Sequence, residues 1–302
     1  MVYLSTFTNN LLPILLLSGA GFALGKLLSV DPRPLGRVIF YILGPLLVFN
    51  LLTQNNLPVD KIAGMMGYAL AVMLSVAGLA YLAARLLRLE RSALTAVVLT
   101  TMLANNGNYG VPLIAFAFGP EAQAYASIYF VTSSMLAYTF GVLIASLGHL
   151  NLKKAALGLI KVPAIYAIIF AMVFIQTGWT LPIPLQRTVS LAAGGAVPAM
   201  LVLLGLELGR FEWSRNLRAM SIPVTIRLLI GPLVGLGLAA LFGLKGTARQ
   251  AGITEAGMPS AIITTMLAAE YKLEPSLITA IIFVSTILSP LTLTPLLVFL
   301  GK

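Results

Sequence analysis

Long apolar runs constrain this chain more than any other feature of its sequence. A helix that crosses a bilayer needs about 20 mainly apolar residues. Ten runs meet this requirement, and they cover residues 7–28, 34–53, 62–84, 92–118, 122–147, 155–176, 188–208, 217–243, 248–270 and 275–300. Because the connections between the runs are short, the sequence predicts an all-α integral membrane protein with ten transmembrane helices and no separate soluble domain.

The composition agrees with a protein that is surrounded mainly by lipid. Hydrophobic residues make up 59% of the chain and charged residues only 9%, whereas soluble domains have about 25% charged residues. The chain has no cysteine and a single histidine, His149, which argues against a thiolate or histidine metal site. The basic residues behind the net charge of +10 are spread along the connections. We therefore expect the lipid bilayer as a partner, and no nucleic acid.

The positions of lysine and arginine predict the orientation of the chain, since cytoplasmic connections carry an excess of both. With the N-terminus outside, 13 of the 19 basic residues lie on the inner side and 5 on the outer side, while Arg227 falls within a helix. We therefore predict a multi-pass protein of the cytoplasmic membrane with both termini on the outer side.

Proline-containing segments recur about 150 residues apart and in the same order. The matched pairs are Pro13 and Pro163, Pro34–Arg37 and Pro184–Arg187, Pro45 and Pro198, and Gly110–Pro112 and Gly257–Pro259. This spacing predicts two halves of five helices each, residues 1–150 and 151–302. Because five is an odd number, the second half enters the membrane in the opposite orientation, which makes an inverted repeat.

Two polar interruptions lie inside otherwise apolar runs. The first is Asn105–Pro112, with the sequence Asn-Asn-Gly-Asn-Tyr-Gly-Val-Pro, and the second is Thr254–Pro259. Broken backbone at membrane depth occurs where it is buried in protein or lines a wet cavity. Since the interruptions take matching places in the two halves, we expect the fourth and ninth helices to be broken and to cross. In transporters with inverted repeats, such broken helices form the substrate site near the membrane midplane.

The first interruption has side chains that suit an organic anion. Amides both donate and accept hydrogen bonds, and the half-helix that follows a break exposes N–H groups with a partial positive charge. The predicted substrate-binding residues are Asn105, Asn106, Asn108, Tyr109, Gly110, Pro112, Pro259 and Arg227. The alternative is that the amides only satisfy the broken backbone.

The second interruption carries a carboxylate, Glu255. An intramembrane carboxylate is costly and is a functional candidate by default. Beside exposed carbonyl groups it could ligate Na⁺ or carry a proton, so we expect Na⁺ or H⁺ as a coupling ion and no other cofactor. The predicted ion-coupling residues are Glu255, Ser133, Gly257 and Met258. The alternatives are that Glu255 is a structural partner of Arg249 or Arg227, or that it is exposed because the helix starts later.

Arg227 lies about 13 Å deeper along its helix than Arg218. It could hold a substrate carboxylate or pair with Glu207 or Glu255, and the alternative is that its side chain reaches back to the inner interface. The hydroxyls of the fifth and tenth predicted helices are expected to bond their own helix backbones, and Ser133 alone is kept as a candidate ion ligand. A chain with one histidine, no cysteine and few carboxylates offers no obvious acid–base pair, so no enzymatic activity is expected.

Three segments resemble those of known transporters. Asn105–Leu113 resembles the fourth-helix signature of the auxin efflux carrier family, and Ala268–Pro275 resembles a late segment of its plant members. Glu255–Met258 resembles the Glu-x-Gly-Met sequence of the related bile acid sodium symporters, where the glutamate ligates sodium. Here Pro259 and Ser260 follow in place of the amides that are usual in those symporters.

The resemblance implies a bacterial member of the auxin efflux carrier family, and such members are usually described as carboxylate permeases. It implies a scaffold of predicted helices 1, 2, 6 and 7, a transport core of helices 3–5 and 8–10, and a homodimer. We therefore expect a secondary active transporter of small organic anions in a bacterial-type inner membrane. The alternatives are an uncoupled, potential-driven anion efflux carrier and an anion channel, although no ring of charges or repeated carbonyl filter is visible.

Overall fold

The computed structural model describes residues 1–141, 144, 160, 162–265, 267 and 273–301, and these residues fold mainly into helices. Six helices are long and apolar enough to cross a membrane: α1 (Val2–Leu27), α2 (Pro32–Asn55), α3 (Val59–Leu86), α7 (Ile183–Leu208), α8 (Leu217–Leu241) and α10 (Pro275–Leu300). The others with defined bounds are α4 (Arg91–Met102), α5 (Val111–Leu136), α6 (Pro163–Thr177) and α9 (Gly246–Ala256). The predicted all-helical protein with several membrane spans is confirmed at this level.

The arrangement as ten spans in two inverted halves stays a prediction. The predicted runs 92–118 and 248–270 are each interrupted, after α4 and after α9. The predicted boundary between the halves, at residue 150, lies outside the described residues. The same is true of His149 and of most of the segment Ala268–Pro275.

Several helices contain a wide π-helical turn shortly before a proline. These turns are Phe7–Leu11 before Pro13, Ile39–Leu43 before Pro45, Asn106–Gly110 before Pro112, and Ile226–Ile230 before Pro232. Proline has no N–H to donate, and its ring would meet the carbonyl four residues earlier, which in each case lies inside the π-turn. The wider turn accommodates both effects without ending the helix. Two of these turns carry predicted site residues.

A break at Gly119 divides α5 into two parts. Its backbone angles, φ 82° and ψ −173°, lie in a region that is essentially restricted to glycine. Pro120 follows and suits the first turn of the next helical segment. The break falls between the predicted runs 92–118 and 122–147, and therefore at the connection that the sequence predicts.

Helices α1 and α7 pack directly on each other through small residues, and we call this contact the α1–α7 seam. A Cβ atom on Gly205 of α7 would collide with the backbone of Ser18, and one on Gly21 of α1 would collide with the backbone of Val202. Small residues commonly allow membrane helices to approach this closely. The seam therefore makes α1 and α7 one packed unit.

Candidate functional site

The two interruptions meet in space and pair through their backbones. Ala104 and Ser260 form an isolated antiparallel β-bridge. The Asn105 N–H donates to the Pro259 carbonyl at 2.8 Å, and the Ala261 N–H donates to the Leu103 carbonyl at 2.9 Å. We call the paired segments the crossing. Its first arm is residues 103–110 and its second arm is residues 254–261.

The local sequence explains how the first arm leaves and re-enters a helix. Leu103 is extended, at φ −96° and ψ 108°, and the Asn106 N–H folds back to the Ala104 carbonyl at 2.8 Å. The π-turn Asn106–Gly110 then begins, with the Gly110 N–H donating to the Asn105 carbonyl at 3.0 Å. The arm thus satisfies part of its broken backbone within itself and part through the second arm.

Glu255 places its carboxylate against the first arm. The residue lies in the last turn of α9 and its side chain is 0% exposed. The Asn106 side-chain amide donates to Oε2 of Glu255 at 2.6 Å. A Cβ atom on Gly110 would collide with the same carboxylate, so only glycine leaves room for it. The carboxylate therefore lies at the N-terminal end of the helical stretch that leads into α5, where the helix dipole favours negative charge.

Arg227 occupies the complementary position at the C-terminal helix ends. It lies in the π-turn Ile226–Ile230 of α8 and is 0% exposed. Its Nε donates to the Met258 carbonyl at 2.9 Å, and its terminal nitrogens donate to the carbonyls of Glu255 and Thr101 at 3.3 and 3.4 Å. Carbonyls at a helix end have no partner within their helix. The guanidinium thus donates hydrogen bonds to carbonyl groups at the C-terminal ends of both α4 and α9.

These positions overturn two of the alternatives drawn from the sequence. Arg227 does not reach back to the inner interface, because its side chain is fully buried at the crossing. Glu255 is not exposed at a helix end, because α9 begins at Gly246, about two and a half turns earlier. The role of Arg227 as a direct substrate ligand stays a prediction.

Buried polar atoms in both arms lack a hydrogen-bond partner among the described residues. They are Oε1 of Glu255, Oδ1 of Asn106, Nδ2 of Asn105, Oγ1 of Thr254 and Oγ of Ser260. Buried polar groups are almost always paired with protein, ordered water or a ligand, so such a concentration marks a polar site. Four of the five atoms are oxygens, and the exception is a donor on Asn105.

The remaining predicted residues lie in and around the crossing. Asn108 is the only one of the three asparagines with partial exposure. Tyr109 is buried, with its hydroxyl 3.1 Å from Oγ of Ser289 in α10. The segment Gly257–Pro259 supplies backbone carbonyls and packing, and Pro112 follows the first arm as the proline of its π-turn.

Ser133 lies on α5 beyond the Gly119 break, buried, and no hydrogen bond joins it to the crossing within the described part of the chain. The neighbouring hydroxyls of Ser127, Thr132 and Ser134 bond carbonyls of their own helix, as predicted. No sequence pattern predicts that Ser285 of α10 accepts a hydrogen bond from the Ser260 N–H at 3.2 Å. Nor does any pattern predict that Thr101 contributes a carbonyl, because backbone partners leave no side-chain pattern.

Comparisons with known proteins agree with a transport role. The sequence profile of a family described as "Membrane transport protein" matches residues 6–150 and 144–297. An uncharacterized transporter of Methanothermobacter thermautotrophicus is 28% identical over 97% of this chain and 98% of its own length. An uncharacterized transporter of Methanocaldococcus jannaschii is 25% identical over 89% of this chain and 90% of its own.

Plant relatives match a smaller part of the molecule. Auxin efflux carrier component 8 of Arabidopsis thaliana is 29% identical over 47% of this chain and 41% of its own length. The two archaeal matches cover almost the entire chain, and the matched segments of the family profile include both arms of the crossing. The chain therefore belongs to the membrane transport protein family, the family of the auxin efflux carriers.

Proposed function

We propose that the protein is a secondary active transporter of small organic anions, with a carboxylate substrate of the auxin-like or dicarboxylate type. The observation that supports this most directly is the crossing itself. Two interrupted helices bring together buried polar atoms without partners, next to a buried guanidinium and a buried carboxylate. Such a site at a helix crossing is typical of transporters with discontinuous helices.

An anion would be held mainly by the first arm. Nδ2 of Asn105 is a buried donor without a partner among the described residues. The N–H groups at the start of the π-turn Asn106–Gly110 lie at a positive helix end. The partly exposed amide of Asn108 is the place where a substrate would first make contact. Arg227 adds positive potential from behind the arm without being exposed. Tyr109, Gly110, Pro112 and Pro259 would shape this site.

The same arrangement supports a division of the protein into a fixed scaffold and a mobile transport core. We propose ten membrane helices in two inverted halves, with α1, α2, α6 and α7 in a scaffold and the crossing in a transport core. The α1–α7 seam, closed by Gly21 and Gly205, supports a rigid scaffold. Alternating access would then come from an elevator-like motion of the core against the scaffold. We also propose a homodimer and a cytoplasmic membrane location with both termini outside.

Coupling to Na⁺ or H⁺ would act through Glu255. Within the described part of the chain its Oε1 atom has no hydrogen-bond partner, and the same holds for oxygens of Asn106, Thr254 and Ser260 in the two arms. Carboxylate, amide and hydroxyl oxygens can ligate a hard cation, and a buried carboxylate can carry a proton. In the second candidate function the anion leaves by uncoupled, potential-driven efflux. The sequence match to plant proteins named auxin efflux carriers supports the efflux direction of that candidate.

Purified protein should first be screened for thermal stabilisation by carboxylates and indole acids, because a ligand of the folded state raises its apparent stability. The best ligand is then used for uptake into proteoliposomes under imposed Na⁺, proton or electrical gradients. For coupled transport, Glu255→Gln should remove the dependence on the ion gradient while uptake driven by substrate exchange persists.

The matched control is Glu121→Gln, which removes an exposed carboxylate beside Gly119 and should leave uptake unchanged. Ion dependence that survives in Glu255→Gln would contradict the coupling role. A substrate-dependent current that ignores both ion gradients in the unmodified protein would favour uncoupled efflux. Failure of every organic anion to stabilise the protein and to cross the membrane would contradict the proposed substrate class.

A further inference from the structure

The carbonyl groups around Arg227 form the kind of cluster that binds a cation in other transporters. In discontinuous membrane helices, unwound carbonyls and the C-terminal ends of half-helices coordinate the coupling cation. Here the carbonyls of Thr101, Glu255 and Met258 converge from the ends of α4 and α9. All three accept hydrogen bonds from one guanidinium, so a side chain of the protein already occupies the centre of the cluster.

The surrounding helix is shaped to deliver this side chain. A Cβ atom on Gly231, directly after the π-turn Ile226–Ile230, would collide with the Ala256 carbonyl at the end of α9. Helix α8 therefore touches the last turn of α9 with its backbone. The π-turn shifts the residues before Pro232 around the helix axis, and such single turns are frequent at functional sites. Arg227 thus enters the carbonyl cluster from an immediately adjacent helix.

We propose that Arg227 is a tethered cation that takes the place of a bound Na⁺ at the crossing. Transport and stability are then independent of Na⁺, and the coupling ion, where there is one, is the proton on Glu255. The statement about transport rests on the proposed function and narrows its coupling ion to the proton. The statement about stability does not depend on that function. The guanidinium charge travels with the crossing in every conformation, whereas a bound Na⁺ would have to enter and leave.

Charge balance gives a second, independent argument. Arg227 and Glu255 are both fully buried, and they belong to the same crossing. One positive and one negative charge leave the site neutral overall. A Na⁺ ion at Oε1 of Glu255 would add a second positive charge next to the first, at a depth where unbalanced charge is costly. A proton on Glu255 adds the same net charge but forms a neutral carboxyl group, so no second cation lies beside the guanidinium. An anionic substrate would compensate the remaining charge in either case.

Chemical rescue tests the tethered cation without any transport assay. The variant Arg227→Ala should lower the apparent melting temperature of the purified protein by about 5–10 °C, because it leaves three carbonyls and a buried carboxylate without their cation. Millimolar methylguanidinium should restore most of this loss, because it supplies the same planar donors to the vacated space. Methylammonium at equal concentration should restore less. Equal behaviour of Arg227→Ala and the unmodified protein, with no response to methylguanidinium, would overturn the proposal.

Sodium titration is the second measurement, and its decisive comparison uses the unmodified protein, so the result does not depend on recovery of a variant. Replacing choline by Na⁺ should leave the melting temperature unchanged in the unmodified protein and in Arg227→Lys, which retains a cation. In Arg227→Gln, which removes it, Na⁺ should raise the melting temperature. Stabilisation of the unmodified protein by Na⁺ relative to choline contradicts the tethered cation.

The two proposals fail in different ways. If methylguanidinium rescues Arg227→Ala but no organic anion is transported, Arg227 still replaces a bound cation and only the substrate class is wrong. If an organic anion is transported but only in the presence of Na⁺, the transport function stands and the tethered cation is wrong. Transport that persists with choline as the sole external cation supports both.

Discussion

The two arms of the crossing are both interruptions of a buried helix, but their side chains carry opposite chemistry. They pair through the bridge between Ala104 and Ser260. The first arm is uncharged and presents amides and the positive end of a helix. The second arm carries the carboxylate of Glu255 and presents carbonyls to Arg227. The carboxylate turns toward the positive end of the first arm, and the guanidinium turns toward the carbonyl ends.

This difference shows that the crossing supplies its own counter-charges. The sequence predicts that the exposed helix ends bind a substrate anion and a coupling cation. In the structure, Glu255 lies at one kind of end and Arg227 at the other. The ligand that we propose for this site would therefore join an arrangement whose charges are already balanced. Its binding would depend on the atoms left unpaired, such as Nδ2 of Asn105.

The largest expected effect is a difference in protein stability between variants of the two neighbouring amides of the first arm. Asn106→Ala removes the donor to the Glu255 carboxylate and should lower the free energy of unfolding by about 1.5–3 kcal/mol, as expected for a hydrogen bond to a charged group. Asn105→Ala is the matched variant. It removes a side-chain donor that has no partner, so it should weaken substrate binding with little loss of stability. Denaturant titration and ligand-induced thermal shifts measure the two quantities, and equal stability losses would contradict the assignment.

A smaller loss is expected when the space between the arms is filled. Gly110→Ala forces a methyl group against the Glu255 carboxylate, and overpacking of this kind lowers the free energy of unfolding by about 1–3 kcal/mol. The transport rate should also fall, because the added methyl group displaces the Glu255 carboxylate from its position against the first arm. Gly195→Ala in α7 is the control, since a Cβ atom there meets no atom within 4 Å. Identical behaviour of the two variants would show that the arms are not in close contact.

The smallest effect concerns the link between the first arm and α10. Tyr109→Phe removes the hydroxyl that lies 3.1 Å from Oγ of Ser289, and the expected loss is about 0.5–1.5 kcal/mol of unfolding free energy. The aromatic ring stays in place, so substrate affinity should change little. Tyr81→Phe on the exposed side of α3 provides the control. A large loss of affinity in Tyr109→Phe would instead place the hydroxyl in contact with substrate.

Much of this arrangement could be predicted from the sequence, because polar, helix-breaking or charged residues inside an apolar run are energetically unfavourable unless they have a structural or functional role. Amides, glycine and proline inside the run 92–118 predict a break, and the isolated carboxylate Glu255 predicts a functional position. The matching interruptions in the two halves predict that Asn105 and Pro259 lie close together, and their backbones form a hydrogen bond. Gly119 and Pro120 likewise predict the break in α5.

Other features could not be predicted, because they depend on relative positions of helices. The direction of Arg227 is set by a π-turn and by the contact of Gly231 with α9, and its partners are carbonyl groups that every residue possesses. The sequence therefore left a substrate carboxylate, a glutamate and the membrane interface as equal candidates. The hydrogen bond from the Ser260 N–H to Oγ of Ser285 likewise depends on how α10 packs beside the second arm, which no sequence pattern specifies.

The backbone bridge at the crossing also bears on the route of a permeating molecule. Hydrogen bonds on both sides of the buried pair Ala104 and Ser260 hold the two arms together. A solute that passed between the arms would have to break these bonds on every passage. A continuous pore is therefore not expected to run through this point. For the transport function proposed above, we expect the route to lie along one flank of the joined arms, on the side where Asn108 is partly exposed.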